Sequence, residues 1–211
     1  MTNDSGETNR RLEQAAHGDR EGFETLLLQH RQRLRRMVAL RLDPRLRQRL
    51  DPSDVIQEAY LEASVRLESY LQSPSMPFFL WLRFLTGQKL ATLHRYHLGA
   101  QLRNAGQEVA LERGEFPEAS SFAIAAHFLD QDTRPLEAAI RAEMKDRLQQ
   151  ALDRMPPLDR EALVLRHFEQ LSRAEIATLL NISEAAAGKR YIRALEKLRQ
   201  ILGPSGDDGG S

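Results

Sequence analysis

Residues 171–199 read LSRAEIATLLNISEAAAGKRYIRALEKLR, and their local chemistry settles the architecture of the C-terminal part of the chain. Ser172 and Glu175 stand three apart, the spacing at which each side chain caps the other's backbone N–H at a helix start. Ile176, Ala177 and Leu180 follow as one apolar face. Asn181 tolerates a left-handed backbone, so the helix can end there and turn sharply. Ser183 then caps a second helix from Glu184 to about Ile201, which carries Lys189, Arg190, Arg193, Lys197 and Arg199. Two helices joined by so short a turn, the second one basic, form the helix-turn-helix pattern whose second helix enters the major groove of DNA. The alternative is a helix-turn-helix used only for protein packing.

Upstream of this motif, Leu136, Ile140, Met144, Leu148, Leu152 and Met155 recur at helical spacing from Pro135, and Pro156-Pro157 stops them. Asp159 is expected to start a short helix reaching about Phe168. Residues 108–134 change character: Glu108, Glu112, Glu115, Glu118, Asp130 and Asp132 surround a small-residue run. Periodicity there is poor, which predicts an acidic flexible linker with one short apolar patch, SFAIAAHFL at 121–129, and a domain boundary inside it.

The N-terminal half reads as a separate set of helices. Asp19 can cap a helix whose apolar positions are Phe23, Leu26, Leu27, Leu34, Met37 and Val38. Asp51-Pro52-Ser53-Asp54 supplies an N-cap, a proline at the first helical position and an acid for the positive end of the helix dipole. Val55, Ile56, Ala59, Ala63, Leu67 and Tyr70 form the apolar stripe of that helix, while Asp51, Asp54, Glu58 and Glu62 share a neighbouring face. Such an acidic stripe is either solubilising surface or a surface for a basic partner. After the break at Ser73–Pro77, Phe78 to about Arg103 reads as one long helical stretch or as two helices broken near Gly87 or Gly99. From Trp81 to Gln107 it holds no acid, while Arg83, Lys89, Arg95 and Arg103 appear among aromatics. Cations for phosphates beside ring faces for unstacked bases are what single-stranded nucleic acid requires, although most of these apolar residues, Phe78, Phe79 and Leu82 among them, are expected to be core.

Composition limits the remaining choices. The chain has 211 residues, of which 41% are apolar, 6% aromatic and 28% charged. That is a soluble globular composition rich in helix formers. No long apolar run offers a membrane span, and the polar opening MTNDSGETNRR lacks the apolar stretch of a secretory signal, so a cytoplasmic protein is expected. The absence of Cys excludes disulfides, thiolate nucleophiles and thiolate metal sites. His94 and His97, three apart, are the one pair with metal-ligand spacing, and they lack a nearby carboxylate. No metal, no cofactor and no enzymatic activity are expected. Net charge is zero, but it is segregated: residues 1–50 hold 11 basic and 7 acidic residues, 51–80 hold 1 and 5, 81–107 hold 4 and 0, and 108–140 hold 2 and 7. A polyanion meets the local field and not the total, so neutrality says nothing against nucleic-acid binding.

Two helical modules of this kind joined by an acidic segment resemble the sigma-70 family of bacterial RNA polymerase sigma factors, in its small extracytoplasmic-function (ECF) group. The resemblance runs over nearly the whole chain. It implies an all-α fold of two small helical domains: a region 2-like bundle at 8–107, the acidic linker at 108–134, a region 4-like helix-turn-helix domain at 135–203 and a disordered tail at 204–211. DPSDVIQEAYLEASVRLESY stands where the family binds the clamp helices of the polymerase β′ subunit, which would give Asp51, Asp54, Gln57, Glu58 and Glu62 a basic partner. FFLWLRFLTGQKLATLHRYHLGAQLR stands where the family melts and reads the −10 promoter element, implying Trp81, Lys89, His94, Arg95, His97 and Arg103 as contacts. LSRAEIATLLNISEAAAGKRYIRALEKLR would read the −35 element through Ser183, Lys189, Arg190, Arg193 and Lys197, with the helices before it on the β flap.

Departures from the family pattern are visible. Gln88 and Thr92 stand where the family commonly has Asn and Asp, and Ala186 and Gly188 replace the usual Thr and Lys of the recognition helix. The expected function is binding of core RNA polymerase and promoter DNA to direct transcription initiation, with an anti-sigma factor as a further partner. The alternative is a stand-alone helix-turn-helix regulator, which predicts specific duplex binding without polymerase.

Overall fold

A computed structural model describes residues 4–16, 20–102, 116–130 and 138–202. Among them every regular element is helical, and the chain divides into two compact units, Met1–Pro117 and Glu118–Ser211.

The first unit holds α1 (Asp4–Ala16), α2 (Arg20–Arg41), a 3-10 turn (Pro44–Leu46), α3 (Pro52–Gln72) and α4 (Phe78–Leu102). The apolar stripe expected of α2 is buried from Phe23 to Val38; the predicted cap Asp19 lies outside the described residues. α1 starts ahead of the predicted domain start at residue 8, and its Leu12 is buried. The start of α3 is built as its sequence indicates: Ser53 N–H donates to Asp51 Oδ1 at 2.7 Å, and Asp51 N–H donates to Asp54 Oδ2 at 3.4 Å. Val55, Ile56, Ala59, Ala63 and Tyr70 of α3 are buried, and α4 packs against both α3 and α2.

Rings fill the space between these helices. Trp81 stacks on Tyr70 with centroids 4.4 Å apart, and Phe78 stands 6.3 Å from Phe23 and 5.9 Å from Tyr70. The Tyr70 hydroxyl donates to the Met76 carbonyl at 2.9 Å, fixing the break between α3 and α4. Each such ring contributes ~1.5–3 kcal/mol through burial.

α4 runs without interruption through both Gly87 and Gly99, in place of the break considered from sequence. Gly87 serves close approach: a Cβ built there would lie 2.0 Å from the Phe116 ring. That ring sits under the guanidinium of Arg83 at 4.2 Å and near that of Arg41 at 5.3 Å.

The second unit holds α5 (Ser121–Asp130), α6 (Ala138–Asp153), α7 (Pro157–Leu163), a π-helical turn (Val164–Phe168), α8 (Arg173–Leu180) and α9 (Glu184–Leu202). α5 corrects the reading of 108–134 as a flexible linker. Ala123, Ile124, Ala125 and Leu129 are buried, α5 packs on α6, and Phe128 stacks on His167 with centroids 4.9 Å apart. Its run of apolar residues is long enough for three helical turns, so it forms core. The rest of that stretch (108–115 and 131–134) and the tail 204–211 lie outside the described residues.

α7 begins at Pro157 rather than Asp159, because a proline at the first position lacks only an N–H that a helix start leaves unused. It passes into the π turn before Phe168, and Gln170 then takes a left-handed backbone with φ 58°. Among the described residues no helix is long and apolar enough to cross a membrane.

Candidate functional site

The helix-turn-helix is assembled residue by residue as its sequence suggests. Glu175 N–H donates to Ser172 Oγ at 3.2 Å and Ser172 N–H donates to Glu175 Oε2 at 2.7 Å, the reciprocal capping box of α8. Asn181 ends α8 in the left-handed region at φ 51°, ψ 50°, and Ile182 N–H reaches back to the Ala177 carbonyl at 3.0 Å. Ser183 Oγ accepts from Ala186 N–H at 3.2 Å, so this predicted DNA contact is occupied in starting α9. Ala187, Ala194 and Leu198 bury one face of α9 against α6, α7 and α8.

The basic residues of α9 separate into distinct environments. Lys189 is exposed. Arg190 donates to Asp159 Oδ1 of α7 at 2.7 Å, and Arg193 approaches the same oxygen at 3.7 Å. Lys197 donates to the Arg154 carbonyl at 3.1 Å. Asp159 is therefore a residue that sequence reading placed only at a helix start, yet it orients two of the predicted readers. Its carboxylate is only 7% exposed, a burial that charged groups tolerate when paired and hydrogen-bonded.

In the first unit the acidic stripe of α3 divides. Asp51, Asp54, Gln57 and Glu58 are exposed. The Ser53 amide, bonded to Asp51, holds that carboxyl below its ordinary value. Leu61 and Val65 lie one and two turns beyond Glu58 on the same face and are 66% and 83% exposed. Sequence reading missed them; their exclusion from the apolar stripe was the available signal. Glu62 instead turns toward α4, where it accepts from Lys89 Nζ at 3.1 Å and pairs with Arg66. The Lys89 hydrogen bond, with the charges of Lys89 and Arg66, holds the Glu62 carboxyl below its ordinary value. One predicted polymerase contact and one predicted DNA contact are thus each other's partner.

Around this pair lies a groove lined by Arg66, Gln88, Thr92 and Arg95. Arg95 is exposed and donates to Thr92 Oγ1 at 3.2 Å. His97 is half-buried, its ring edge-on to Tyr96 at 5.0 Å. Arg103 lies outside the described residues.

Two expected −10 contacts are corrected. Trp81 belongs to the core, at 8% exposure and stacked on Tyr70, because its first-turn position on α4 faces α3. His94 is also buried, and its Nε2 accepts from Asp43 N–H at 3.3 Å, tying α4 to the connection between α2 and α3. Burial pushes the His94 imidazole below its ordinary pKa, which keeps it neutral and able to accept. Its partner residue Asp43 is held ionised by a bidentate Arg45, at 3.0 and 2.8 Å. Elsewhere in the unit, burial pushes the Tyr60 phenol up to about 12, and its hydroxyl donates to the Leu27 carbonyl, joining α3 to α2. Among the described residues no three His, Asp or Glu side chains gather closely enough to hold a metal ion.

Comparison with known proteins adds four findings. A family model described as Sigma-70, region 4, matches residues 145–198, the stretch from within α6 to near the end of α9. The chain is 25% identical over 193 residues to the RNA polymerase sigma-H factor of Pseudomonas aeruginosa, covering 92% of each. It is 28% identical over 194 residues to the ECF RNA polymerase sigma factor SigD of Mycobacterium tuberculosis, covering 92% of this chain and 83% of that protein. Among solved structures, CnrH in complex with the cytosolic domain of CnrY has a similar fold, with a TM-score of 0.50 at 21% identity, over 93% of this chain and 97% of that one.

Proposed function

We propose that this chain, which belongs to the ECF type of the sigma-70 family of RNA polymerase sigma factors, is a dissociable promoter-specificity subunit that binds core RNA polymerase and directs promoter-specific transcription initiation. It makes and breaks no covalent bond itself and acts in the cytoplasm. The observation that carries this reading is the helix-turn-helix of α8 and α9, complete in its caps and left-handed turn, inside the stretch that matches the region 4 model.

Charge segregation supports the division of labour. The exposed face of α3, with Asp51, Asp54, Gln57 and Glu58, suits the basic clamp helices of β′, and Glu62 joins it where it leaves Lys89. The acid-free α4 side presents Lys89, Arg95 and His97 to the −10 segment, and Arg103, which follows α4 in the sequence, is assigned to the same contact. α9 presents Lys189, with Arg193 and Arg190 held at defined angles by Asp159, to the −35 element, while the helices before it rest on the β flap. With Ala185, Ala186 and Ala187 at the start of α9, readout rests on few base-edge bonds and more on phosphate contacts and DNA shape. An anti-sigma factor that covers these surfaces in the free subunit belongs to the same reading.

The test is run-off transcription with purified core RNA polymerase and fragmented genomic DNA of the host, with and without the chain, followed by mapping of transcript starts. Discrete starts that share two elements at fixed spacing are expected. Binding to duplex DNA without any direction of core polymerase would replace this reading with a stand-alone regulator.

A further inference from the structure

The first two turns of α9 offer DNA few donors. Residues 185–188 are Ala185, Ala186, Ala187 and Gly188, three methyl groups and a bare Cα, and Gly188 replaces the lysine usual in the family pattern. Of the two cations in this stretch, Lys189 is exposed and Arg190 is tied to Asp159 at 2.7 Å.

Gly188 has no local explanation. It sits inside α9, where glycine is among the weakest helix formers, and its backbone takes no left-handed angle that would require it. What crosses it is Arg173, the first residue of α8. A Cβ built at Gly188 would lie 3.8 Å from Arg173 Nε and 3.9 Å from its Cδ. Those are ordinary contact distances, so a methyl group fits, but a longer side chain would have to share the path of the arginine. Arg173 is exposed, and a cation in the first turn of a helix opposes the helix dipole, so the chemistry of α8 alone does not account for it either.

In a helix-turn-helix the second helix enters the major groove by its N-terminal residues while the first crosses the phosphate backbone. A cation that starts α8 and lies over the second turn of α9 is placed where those two contacts meet. The planar guanidinium suits a phosphate, which it can hold through two parallel N–H bonds.

We infer that Arg173, contributed by α8, is a phosphate clamp for the −35 duplex, supplying across Gly188 the cation that α9 lacks there and fixing the register of α9 in the groove. This rests on the sigma reading of α8 and α9 as the −35 module. The contact is to the DNA backbone, so it adds affinity on every duplex and carries no sequence preference of its own.

The experiment uses the full chain assembled with core RNA polymerase and a duplex promoter fragment obtained by start mapping, with affinity measured by fluorescence anisotropy over a range of salt concentrations. Wild type, Arg173→Ala, Arg173→Lys and the double variant Arg173→Ala with Gly188→Lys are compared on the native fragment and on fragments with each −35 base pair replaced in turn. Arg173→Ala is expected to bind about tenfold more weakly, as for loss of one hydrogen bond to a charged group. Its log affinity should fall with log salt less steeply by about one unit. The ratio of wild type to Arg173→Ala should be the same on every fragment. Arg173→Lys, which keeps a point charge but not the fork, should stay within about threefold of wild type and retain the salt slope. Gly188→Lys in the Arg173→Ala background should recover most of the affinity and the slope, because it returns a cation to the same flank from the other helix.

Wild-type affinity in Arg173→Ala, a ratio that collapses on one replaced base pair, or a double variant no better than Arg173→Ala would each overturn the inference. A lowered urea midpoint for Arg173→Ala would overturn it as well, since the arginine would then be holding the fold. A wild-type chain that directs no transcription overturns the sigma reading itself, before any variant is compared.

Discussion

Replacing Arg190 by Ala discriminates between two roles for the same side chain. Arg190 donates to Asp159 at 2.7 Å, and the exposures of the two side chains are 26% and 7%. Removing the guanidinium leaves a buried carboxylate whose remaining cation is Arg193 at 3.7 Å, itself 59% exposed. Breaking a buried ion pair from one side costs about 3–5 kcal/mol. The solvent edge of Arg190 and the nearness of Arg193 reduce that to about 2–3 kcal/mol, in line with hydrogen bonds to charged groups. At ~4–8 °C per kcal/mol for a unit of this size, the melting temperature of the second unit should fall by roughly 10–20 °C.

Asp159→Asn keeps an acceptor and removes the charge, so Arg190→Ala made in that background should cost under about 1 kcal/mol, because no orphaned charge remains. The assay is urea unfolding of the full chain followed by circular dichroism, with the fluorescence of Trp81, the sole tryptophan, isolating the transition of the first unit. Binding to the duplex −35 element is measured in parallel, well below the unfolding range. A variant Arg190→Ala that unfolds like wild type yet loses duplex binding would refute the reasoning: the bridge would then contribute nothing, and Arg190 would be a reader of DNA alone.

The exposed face of α3 is tested by Asp54→Arg combined with Glu58→Arg, which should abolish binding to core polymerase while leaving the Trp81 unfolding transition close to wild type; binding that survives would make the stripe solubilising surface. For His94 the direction follows from its depressed pKa. The folded chain resists protonation that the unfolded chain accepts, so stability of the first unit should fall as pH drops below the ordinary imidazole value of about 6.5. His94→Gln, which retains an acceptor for Asp43 N–H, should flatten that slope in Trp81-monitored unfolding between pH 7 and 5. At Gly87, alanine should gain about 1 kcal/mol of helix propensity but lose about 1–3 kcal/mol by collision with the Phe116 ring. In a Phe116→Ala background the sign should reverse and Gly87→Ala should stabilise, so an unchanged sign in paired denaturation curves would remove Phe116 from the notch.

Features written in short-range chemistry were legible without coordinates. Ser172, Glu175, Asn181 and Ser183 act on backbone groups within a few residues, so the turn between α8 and α9 follows from their order alone. Asp51-Pro52-Ser53-Asp54 specified the start of α3 for the same reason. The segregation of charge is likewise a property of composition along the chain, and it marked α3 and α4 before their packing was known. Long-range pairing was not legible. Helical spacing marks which residues of α4 are apolar but not the width of the face that neighbours cover, so Trp81 and His94 read as available and prove buried, while Phe84 stays in solvent. Two charges far apart in sequence meet only after helices pack, which is why Glu62 with Lys89, and Asp159 with Arg190, could not be paired in advance. The apolar patch at 121–129 had no intrinsic means of declaring itself core; it required the faces of α6 and the ring of Phe168 to cover it. Local caps and turns are encoded where they act, whereas the availability of a side chain to DNA or to a protein partner is decided by whatever the tertiary fold brings against it.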